Sequence, residues 1–548
     1  MSRDNGISEI VHRSYTTPAK YTQIKPGVPE DYKQINTLAQ LLEINYKEVD
    51  VGEQLRGNLI AKRKRDEDPY PGIVGFDDDV IPATDRAILA DHDIIYIGEI
   101  GQAKTRLAEI ISKNLLSPIP AVHGTITHDI PTTIPEKELV SMLTGQEIAR
   151  TSPEFYVSKE CEDIIRNNKL DTKIEWVDGA QRYKYVLATP DISVKDLVGQ
   201  IDAIKIAKKG VEIYNLESYS PGQLLQARHG ILCIDELPVL DPRKQVALLS
   251  VLQEGKFTTG AYPVIFKPLS RIIATANPID YTHSGKIIEP LFDRLKSHID
   301  THYPTTIEQE MIIMVQEAKV NDHKPLLPIF MLKTLARMVH MAREHPDVNK
   351  EKGVSVRMSI HSLELLMGEV VRTRTLYHDV STVPRPCDIY SIQQAAKFEL
   401  SEVEDTRENR ANIISALIEE SLKQTALEYM ADVNQDELTK LKQEFINNKI
   451  FEVTQNLLGD KTDQLDYASQ LTKFPTLRHL VDRVIEIIKK DQQAFAEILK
   501  KYKIQSNVIS LDNLNGEFTA SVTEIVLEGL RWLKPAVVDK EEKGYVGT

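Results

Sequence analysis

The chain has 548 residues, of which 41% are hydrophobic and 27% are charged; these values are typical of a folded protein and exclude a disordered one. Its 81 acidic and 67 basic residues give a net charge of −14, which counts against a surface built to coat nucleic acid. No apolar run approaches the roughly 18 residues of a membrane-spanning helix, and three scattered cysteines favour a reducing, cytoplasmic setting without a membrane partner.

The apolar pattern divides the chain into four predicted regions. Residues 1–72 form an N-terminal extension that ends in the turn sequence 69–72. Residues 73–304 alternate between short apolar runs and amphipathic stretches, which predicts a three-layer α/β domain with a parallel sheet. Residues 305–400 are predicted to be a helical domain, and residues 401–548 a C-terminal helical extension whose role the sequence does not indicate.

Individual strands and helices can be predicted within these regions. The predicted buried strands are residues 93–97, 183–187, 231–234 and 272–276. The predicted helices after residue 304 include residues 308–318, 328–344 and 358–371. Because long crossovers separate the strands, we expect them to be parallel.

The segment 94–107 is the most informative one. An apolar strand runs into a glycine-bearing loop, then Lys104 and Thr105, then an amphipathic helix that ends near Leu116. This context is typical of a phosphate-binding loop, in which backbone N–H groups at a helix N-terminus face the phosphates. Lys104 would reach the terminal phosphates, and Thr105 would hold magnesium.

The predicted ATP-binding residues are nine consecutive ones. They are Gly98, Glu99, Ile100, Gly101, Gln102, Ala103, Lys104, Thr105 and Arg106. Ala103 stands where glycine usually precedes the lysine. Its methyl group leaves the N–H free, so we expect binding to survive provided that φ at Ala103 is negative. An ordinary strand–turn–helix is the alternative interpretation.

Two later strands end in polar residues that could serve ATP hydrolysis. Asp235 would coordinate Mg²⁺ through water, and the adjacent Glu236 would polarise the attacking water. Asn277 follows the next predicted strand and could orient the same water from the opposite side. Helix capping by the two acids and a simple turn at Asn277 are the structural alternatives.

Two arginines complete the candidate catalytic set. Arg294 lies in a short predicted helix, where it could instead form a surface salt bridge with Asp293 or Glu289. Arg357 opens a later helix. A cation is unfavourable beside the positive end of a helix dipole unless an anion lies there too, and a phosphate would be such an anion.

Taken in order, these motifs resemble those of an AAA+ ATPase over about residues 75–400. Residues 196–202 and 220–237 are similar to the magnesium-chelatase I-subunit and MoxR branch, some members of which also have alanine at the position of Ala103. The resemblance implies a P-loop nucleotide-binding domain, a helical lid, and ATP and Mg²⁺ as cofactors. It also implies a homo-oligomeric ring, expected to be a hexamer, that remodels or activates a protein client or adaptor. A partner with a von Willebrand type A domain is expected.

The resemblance has three further implications. Residues 203–219 would be an insert in the second helix, with Tyr214 and Tyr219 as candidate contact residues. Residues 255–270 would form a hairpin, and Arg294 would act on the ATP of a neighbouring subunit.

Other functions remain open. The chain could be the ATPase subunit of a metal chelatase, although nothing in residues 401–548 points to a tetrapyrrole. It could be a nucleic-acid motor, but the acidic charge and the lack of a basic, aromatic-interleaved run count against that. It could also be a scaffold that binds ATP and barely hydrolyses it.

Overall fold

Two compact units make up the chain in the computed structural model. The described residues are 2–146, 154–201, 219–254, 257–258, 265–267, 269–278, 286–320, 326–350, 352–378, 380–395, 397–401, 404–453, 466–504 and 516–548. The α/β unit comprises residues 1–98 and 103–301, and the helical unit comprises residues 99–102 and 302–548. The α/β unit therefore ends beside the predicted boundary at residue 304.

A five-stranded parallel sheet forms the centre of the α/β unit. Its strands are Ile94–Ile97 (β1), Tyr183–Leu187 (β2), Ile231–Asp235 (β3), Arg271–Ala276 (β4) and Ser297–Asp300 (β5). They lie in the order β5-β1-β4-β3-β2, and every neighbouring pair is parallel. The predicted α/β class is confirmed. The four predicted strands are present, and the short, half-polar β5 was not predicted.

Both faces of this sheet are buried. On one face, Cys233 and Ile273 belong to a core shared with the helix Lys104–Leu115. On the other face, Leu232 and Ala274 belong to a second core. Burial on both faces explains why the central strands β1, β4 and β3 read as continuous apolar runs rather than as alternating patterns. Among its described residues, the helices of the unit are Ser2–Thr16, Leu38–Glu43, Val51–Lys64, Val80–Leu89, Lys104–Leu115, Glu136–Thr144, Lys159–Asn168, Val194–Val198, Gln223–Gln226, Pro242–Glu254 and Glu289–Arg294.

Residues 1–72, predicted as an extension, pack within the α/β unit. Val11 of the first helix shares a core with Met142, which lies in the stretch between Lys104–Leu115 and β2. Trp176 of that stretch donates its indole N–H to the carbonyl of Ile35 at 2.9 Å. The helix Val51–Lys64 contributes to the core under the sheet itself. The N-terminal residues and the stretch before β2 thus fold together.

The two predicted insertions lie partly outside the described residues. Gly199–Ile201 and Tyr219–Pro221, which flank the predicted helix-two insert, form an antiparallel pair. Tyr214 lies outside the described residues. Phe257–Thr258 pairs antiparallel with Ile265–Phe266, as the predicted hairpin over residues 255–270 requires.

The helical unit combines the predicted lid with the C-terminal region. Its helices are Ile307–Glu317, Ile329–Glu344, Arg357–Val370, Leu376–His378, Arg407–Tyr429, Gln435–Asn448, Tyr467–Thr472, Pro475–Lys501 and Gly516–Trp532. Contrary to the prediction, the region 401–548 is not wholly helical. Its strands Ile450–Glu452, Val538–Glu541 and Gly544–Gly547 form an antiparallel sheet. No helix among the described residues is both long and apolar enough to span a bilayer.

A buried group of charges holds the last helix against the lid. Arg374 Nη1 donates to Asp388 Oδ1 at 2.8 Å, and Arg385 Nη2 donates to Glu517 Oε2 at 2.7 Å. Arg385 also lies 4.0 Å from Glu524, and the two side chains are only 3% and 2% exposed. Burial raises the pKa of the Glu524 carboxyl, while Arg385 acts in the opposite direction. The C-terminal helix therefore depends on cations supplied by the lid.

Arg385→Met should destabilise the protein strongly. It leaves Glu524 buried without its cation and Glu517 with Arg374 alone, 3.7 Å away, which should lower the free energy of unfolding by about 3–5 kcal/mol. Urea unfolding followed by circular dichroism measures this. The control is Arg372→Met, because Arg372 is 49% exposed and pairs with Glu369 on the surface; its loss should stay below about 1 kcal/mol. Equal losses of unfolding free energy in the two variants would contradict the structural role of Arg385.

Candidate nucleotide site

The phosphate loop begins where β1 ends. The N–H of Gly98 donates to the carbonyl of Ala276 at 3.1 Å, which ties the start of the loop to the end of β4. Lys104 Nζ donates to the carbonyl of Gly98 at 2.5 Å, so the lysine lies over the loop. Within the loop, the N–H of Glu99 donates to Gln102 Oε1 at 3.1 Å. The predicted loop residues thus form a closed turn between β1 and the following helix.

The tip of the loop, residues 99–102, belongs to the helical unit and packs with other residues of that unit. The hydroxyl of Tyr303 donates to the carbonyl of Ile100 at 3.0 Å. Gly101 has a φ of +85°, and a Cβ at this position would clash with Ser355 Oγ. Both the backbone conformation and the lack of space therefore require glycine at residue 101. Arg357, which opens the next helix, donates its backbone N–H to the same Ser355 Oγ at 3.1 Å.

Ala103 adopts a left-handed backbone conformation, with a φ of +54°. The condition under which we expected binding to survive, a negative φ at Ala103, is therefore not met. A side chain in this region brings Cβ close to the following carbonyl oxygen, which costs about 1–2 kcal/mol. The methyl group packs against the core beneath the sheet, which offsets part of this cost. Glycine would adopt the same conformation without strain.

Ala103→Gly should raise the free energy of unfolding by up to about 1 kcal/mol, because it removes the strain at a small loss of packing. Thermal and urea unfolding measure the change. Ala83→Gly is the matched control: Ala83 also packs partly buried against this core, but it lies in the helix Val80–Leu89 without a positive φ. In that control the free energy of unfolding should fall by about 0.5–1 kcal/mol. Losses of the same size in both variants would argue against a left-handed Ala103.

Asp235 ends β3, and its carboxylate accepts hydrogen bonds from three hydroxyl groups. Oδ1 accepts from Thr105 Oγ1 at 3.2 Å and from Thr275 Oγ1. Oδ2 accepts from the hydroxyl of Tyr185 at 2.8 Å. Burial and the bond to Asp235 raise the pKa of Tyr185, so its hydroxyl stays protonated. The two residues predicted to serve the metal, Thr105 and Asp235, therefore lie side by side.

Glu236 also has a left-handed backbone, with a φ of +56°. Its N–H donates to Thr275 Oγ1 at 3.1 Å, while the same hydroxyl donates to Asp235. Thr275 thus connects the two acidic residues. Strained residues of this kind cluster at functional sites, where the surrounding structure holds them in place.

Sequence analysis missed Thr275 and Tyr185. The parallel pairing of Ile234 with Ala274 brings Thr275 beside Asp235, and β2 supplies Tyr185 from the other side. A hydroxyl two residues before Asn277 was the available signal for Thr275. Nothing in the local sequence marked Tyr185.

The remaining predicted residues occupy the ends of their elements. Asn277 directly follows Ala276, the residue that anchors the loop at Gly98. Arg294 is exposed at the end of the helix Glu289–Arg294. Among the described residues, Arg294 forms no ion pair with either Asp293 or Glu289. The alternative of a local surface salt bridge is therefore not favoured.

Comparisons with known proteins agree with this geometry. Residues 215–299 match the family described as the Sigma-54 interaction domain, which is an AAA+ domain. Over these residues the chain is similar to an AAA+ domain. Its sequence is also similar to the uncharacterized protein YeaC of Bacillus subtilis (strain 168), with 25% identity over 241 residues that span 40% of this chain and 68% of YeaC.

Solved structures resemble parts of the chain. A chain from a complex of the magnesium chelatase subunits BchI and BchD is 17% identical to this protein, with a TM-score of 0.31. The match covers 62% of this chain and 98% of the chain in the complex. NtrX from Brucella abortus in complex with ADP is 15% identical, with a TM-score of 0.33, over 66% of this chain and 67% of that one. The parallel sheet and its phosphate loop form an α/β fold, and the family match over residues 215–299 agrees with an AAA+ domain.

Proposed function

We propose that this chain is an ATPase that works as a ring and remodels or activates a partner protein. The observation that carries the proposal is the contact between Thr105 and Asp235, at 3.2 Å, next to Glu236 and behind a phosphate loop. Such a juxtaposition of a hydroxyl, a metal-binding carboxylate and a second acid is what phosphoryl transfer to water needs.

The donor set suits Mg²⁺ with a nucleoside triphosphate. A hydroxyl and a carboxylate are the hard oxygen ligands that Mg²⁺ prefers, and it usually keeps several waters beside them. Thr105 and Asp235 would hold Mg²⁺, which would supply positive charge against the negative charge that develops on the phosphate during transfer. Lys104 would exchange its bond to the Gly98 carbonyl for a stronger, charge-assisted bond to a phosphate oxygen.

Each remaining residue has a proposed role. Residues 98–106 form the phosphate-binding loop, in which backbone N–H groups after Glu99 bind phosphate, since those of Gly98 and Glu99 bond to Ala276 and Gln102. Glu236 polarises the attacking water and accepts its proton, and Asn277 orients that water from the other side. Arg294 reaches the ATP of the neighbouring subunit, and Arg357 binds phosphate, both on the basis of the AAA+ resemblance.

Glu236→Gln should bind ATP with unchanged affinity and lose turnover by about 10²-fold or more, because it keeps the size of the side chain but removes the base. Phosphate release measures turnover, and calorimetry measures affinity. Glu109→Gln is the control, since it makes the same change at an exposed position of the helix Lys104–Leu115 and should leave turnover intact. Normal turnover of Glu236→Gln would exclude Glu236 as the base.

Arg294→Ala and Lys104→Ala should each be nearly inactive alone, and a mixture of the two should regain activity. An arginine supplied by a neighbour is worth about 10³–10⁵ in rate. In a randomly mixed ring, about a quarter of the interfaces combine an intact loop with an intact arginine. The mixture should therefore reach roughly that fraction of the wild-type rate.

Size-exclusion chromatography of the mixture with differently tagged subunits shows whether mixed rings form. Mixed rings without regained activity would exclude Arg294 as a residue that acts across the interface. Full activity of Arg294→Ala alone would exclude it from catalysis altogether.

The proposal of a protein client over nucleic acid is supported by the net charge of −14, because binding to phosphate backbones depends on clustered cations. A von Willebrand type A domain partner and a hexameric ring are proposed on the resemblance alone. Salt-dependent stimulation of turnover by single- or double-stranded DNA would favour the nucleic-acid motor instead.

A further inference from the structure

Tyr185 is a polar contact of Asp235 that none of the proposed roles uses. It lies on β2, the strand at one edge of the sheet, and its side chain is 47% exposed. Its hydroxyl nevertheless donates to Asp235 Oδ2 at 2.8 Å. Because the hydroxyl of an exposed tyrosine ordinarily forms hydrogen bonds with water, the bond to Asp235 calls for a functional explanation.

The contacts of Asp235 are divided between its two oxygens. Oδ1 accepts from Thr105 and Thr275, whereas Tyr185 is the described donor to Oδ2. The terminal torsion of an aspartate is broad and roughly two-fold, so donors on one oxygen alone leave the plane of the carboxylate loosely defined. A donor on the second oxygen defines that plane.

A purely structural role explains Tyr185 less well. Five residue pairs already join β2 to β3 through their backbones. A hydroxyl bond at a half-exposed position adds little to the stability of the fold. The orientation of Asp235, by contrast, decides whether its oxygens can meet a cation next to Thr105.

We propose that Tyr185 is a positioning residue that orients the Asp235 carboxylate for Mg²⁺ binding in the AAA+ site. The proposal rests on the proposed function, because it requires the metal at Asp235. Residues that hold a metal-binding carboxylate in place typically contribute 10–100-fold to metal affinity. Loss of the Tyr185 hydroxyl would therefore lower the affinity for the metal and leave the affinity for nucleotide without metal unchanged.

Tyr185→Phe, which removes only the hydroxyl, tests this in the full-length protein. Mn²⁺ serves as the metal probe, and its free concentration is followed by electron paramagnetic resonance with a non-hydrolysable ATP analogue present. We expect the affinity for Mn²⁺ to fall by about tenfold or more. Binding of the analogue in EDTA should stay within about twofold of wild type.

Tyr96→Phe is the matched control, because Tyr96 lies on β1 of the same sheet and its hydroxyl bonds to Thr84 at 3.0 Å. It should lower the melting temperature of the protein, because a buried hydrogen bond is lost, and leave the Mn²⁺ affinity unchanged. A second control is the Asp235→Ala background. If Tyr185 acts through Asp235, the Tyr185→Phe change should have no further effect on the metal there.

Three results would overturn the inference while leaving the proposed function standing. They are an unchanged Mn²⁺ affinity in Tyr185→Phe, an equal loss of nucleotide affinity with and without metal, and a full effect that persists in Asp235→Ala. A wild-type protein that shows no metal-dependent nucleotide binding would overturn the proposed function and, with it, this inference.

Discussion

The parallel pairing of β1, β4 and β3 is the constraint on which the candidate site depends. Because all the strands run in one direction, their carboxyl ends meet at one edge of the sheet, where ligands of open α/β sheets bind. The phosphate loop leaves β1 there, Asp235 ends β3 there, and Asn277 follows β4 there. A single bond from the Gly98 N–H to the Ala276 carbonyl then holds the loop to the strand that carries Asn277.

Strain is concentrated at the same edge. Ala103 and Glu236 both have positive φ angles, at a cost of about 1–2 kcal/mol each. The two buried faces of the sheet supply the stability that tolerates this cost, and local contacts hold each residue. Ala103 packs its methyl group on the core, and Thr275 accepts the N–H of Glu236. The same Thr275 hydroxyl reaches Asp235, so one side chain maintains both the strained backbone and the carboxylate beside it.

In the helical unit, buried charge takes the place of apolar packing at one contact. Arg374, Arg385 and Asp388 of the lid meet Glu517 and Glu524 of the last helix. Such groups contribute little net stability compared with apolar packing, but removing one partner is costly because the other is left buried and uncompensated. The C-terminal residues are consequently a structural part of the helical unit.

By itself, the sequence determined the features that are local along the chain. The phosphate-loop pattern, the apolar strands and the acidic pair after β3 each lie within a few consecutive residues, so their chemistry could be predicted without any knowledge of the pairing. The resemblance to an AAA+ ATPase followed from their order. Lys104, Thr105, Asp235 and Glu236 became candidates in the same way.

Only the tertiary structure decided which distant residues meet these candidates. Thr275 and Tyr185 lie 40 and 50 positions from Asp235, and a shift of one residue in strand register would turn either side chain away from it. Arg385 and Glu517 are 132 positions apart. The left-handed conformation of Ala103 is likewise imposed by the closed loop rather than by alanine, which disfavours it. Local sequence patterns therefore predict which residues can carry the chemistry. Strand register and packing determine which distant residues contact them, because these contacts join segments that are far apart in the sequence.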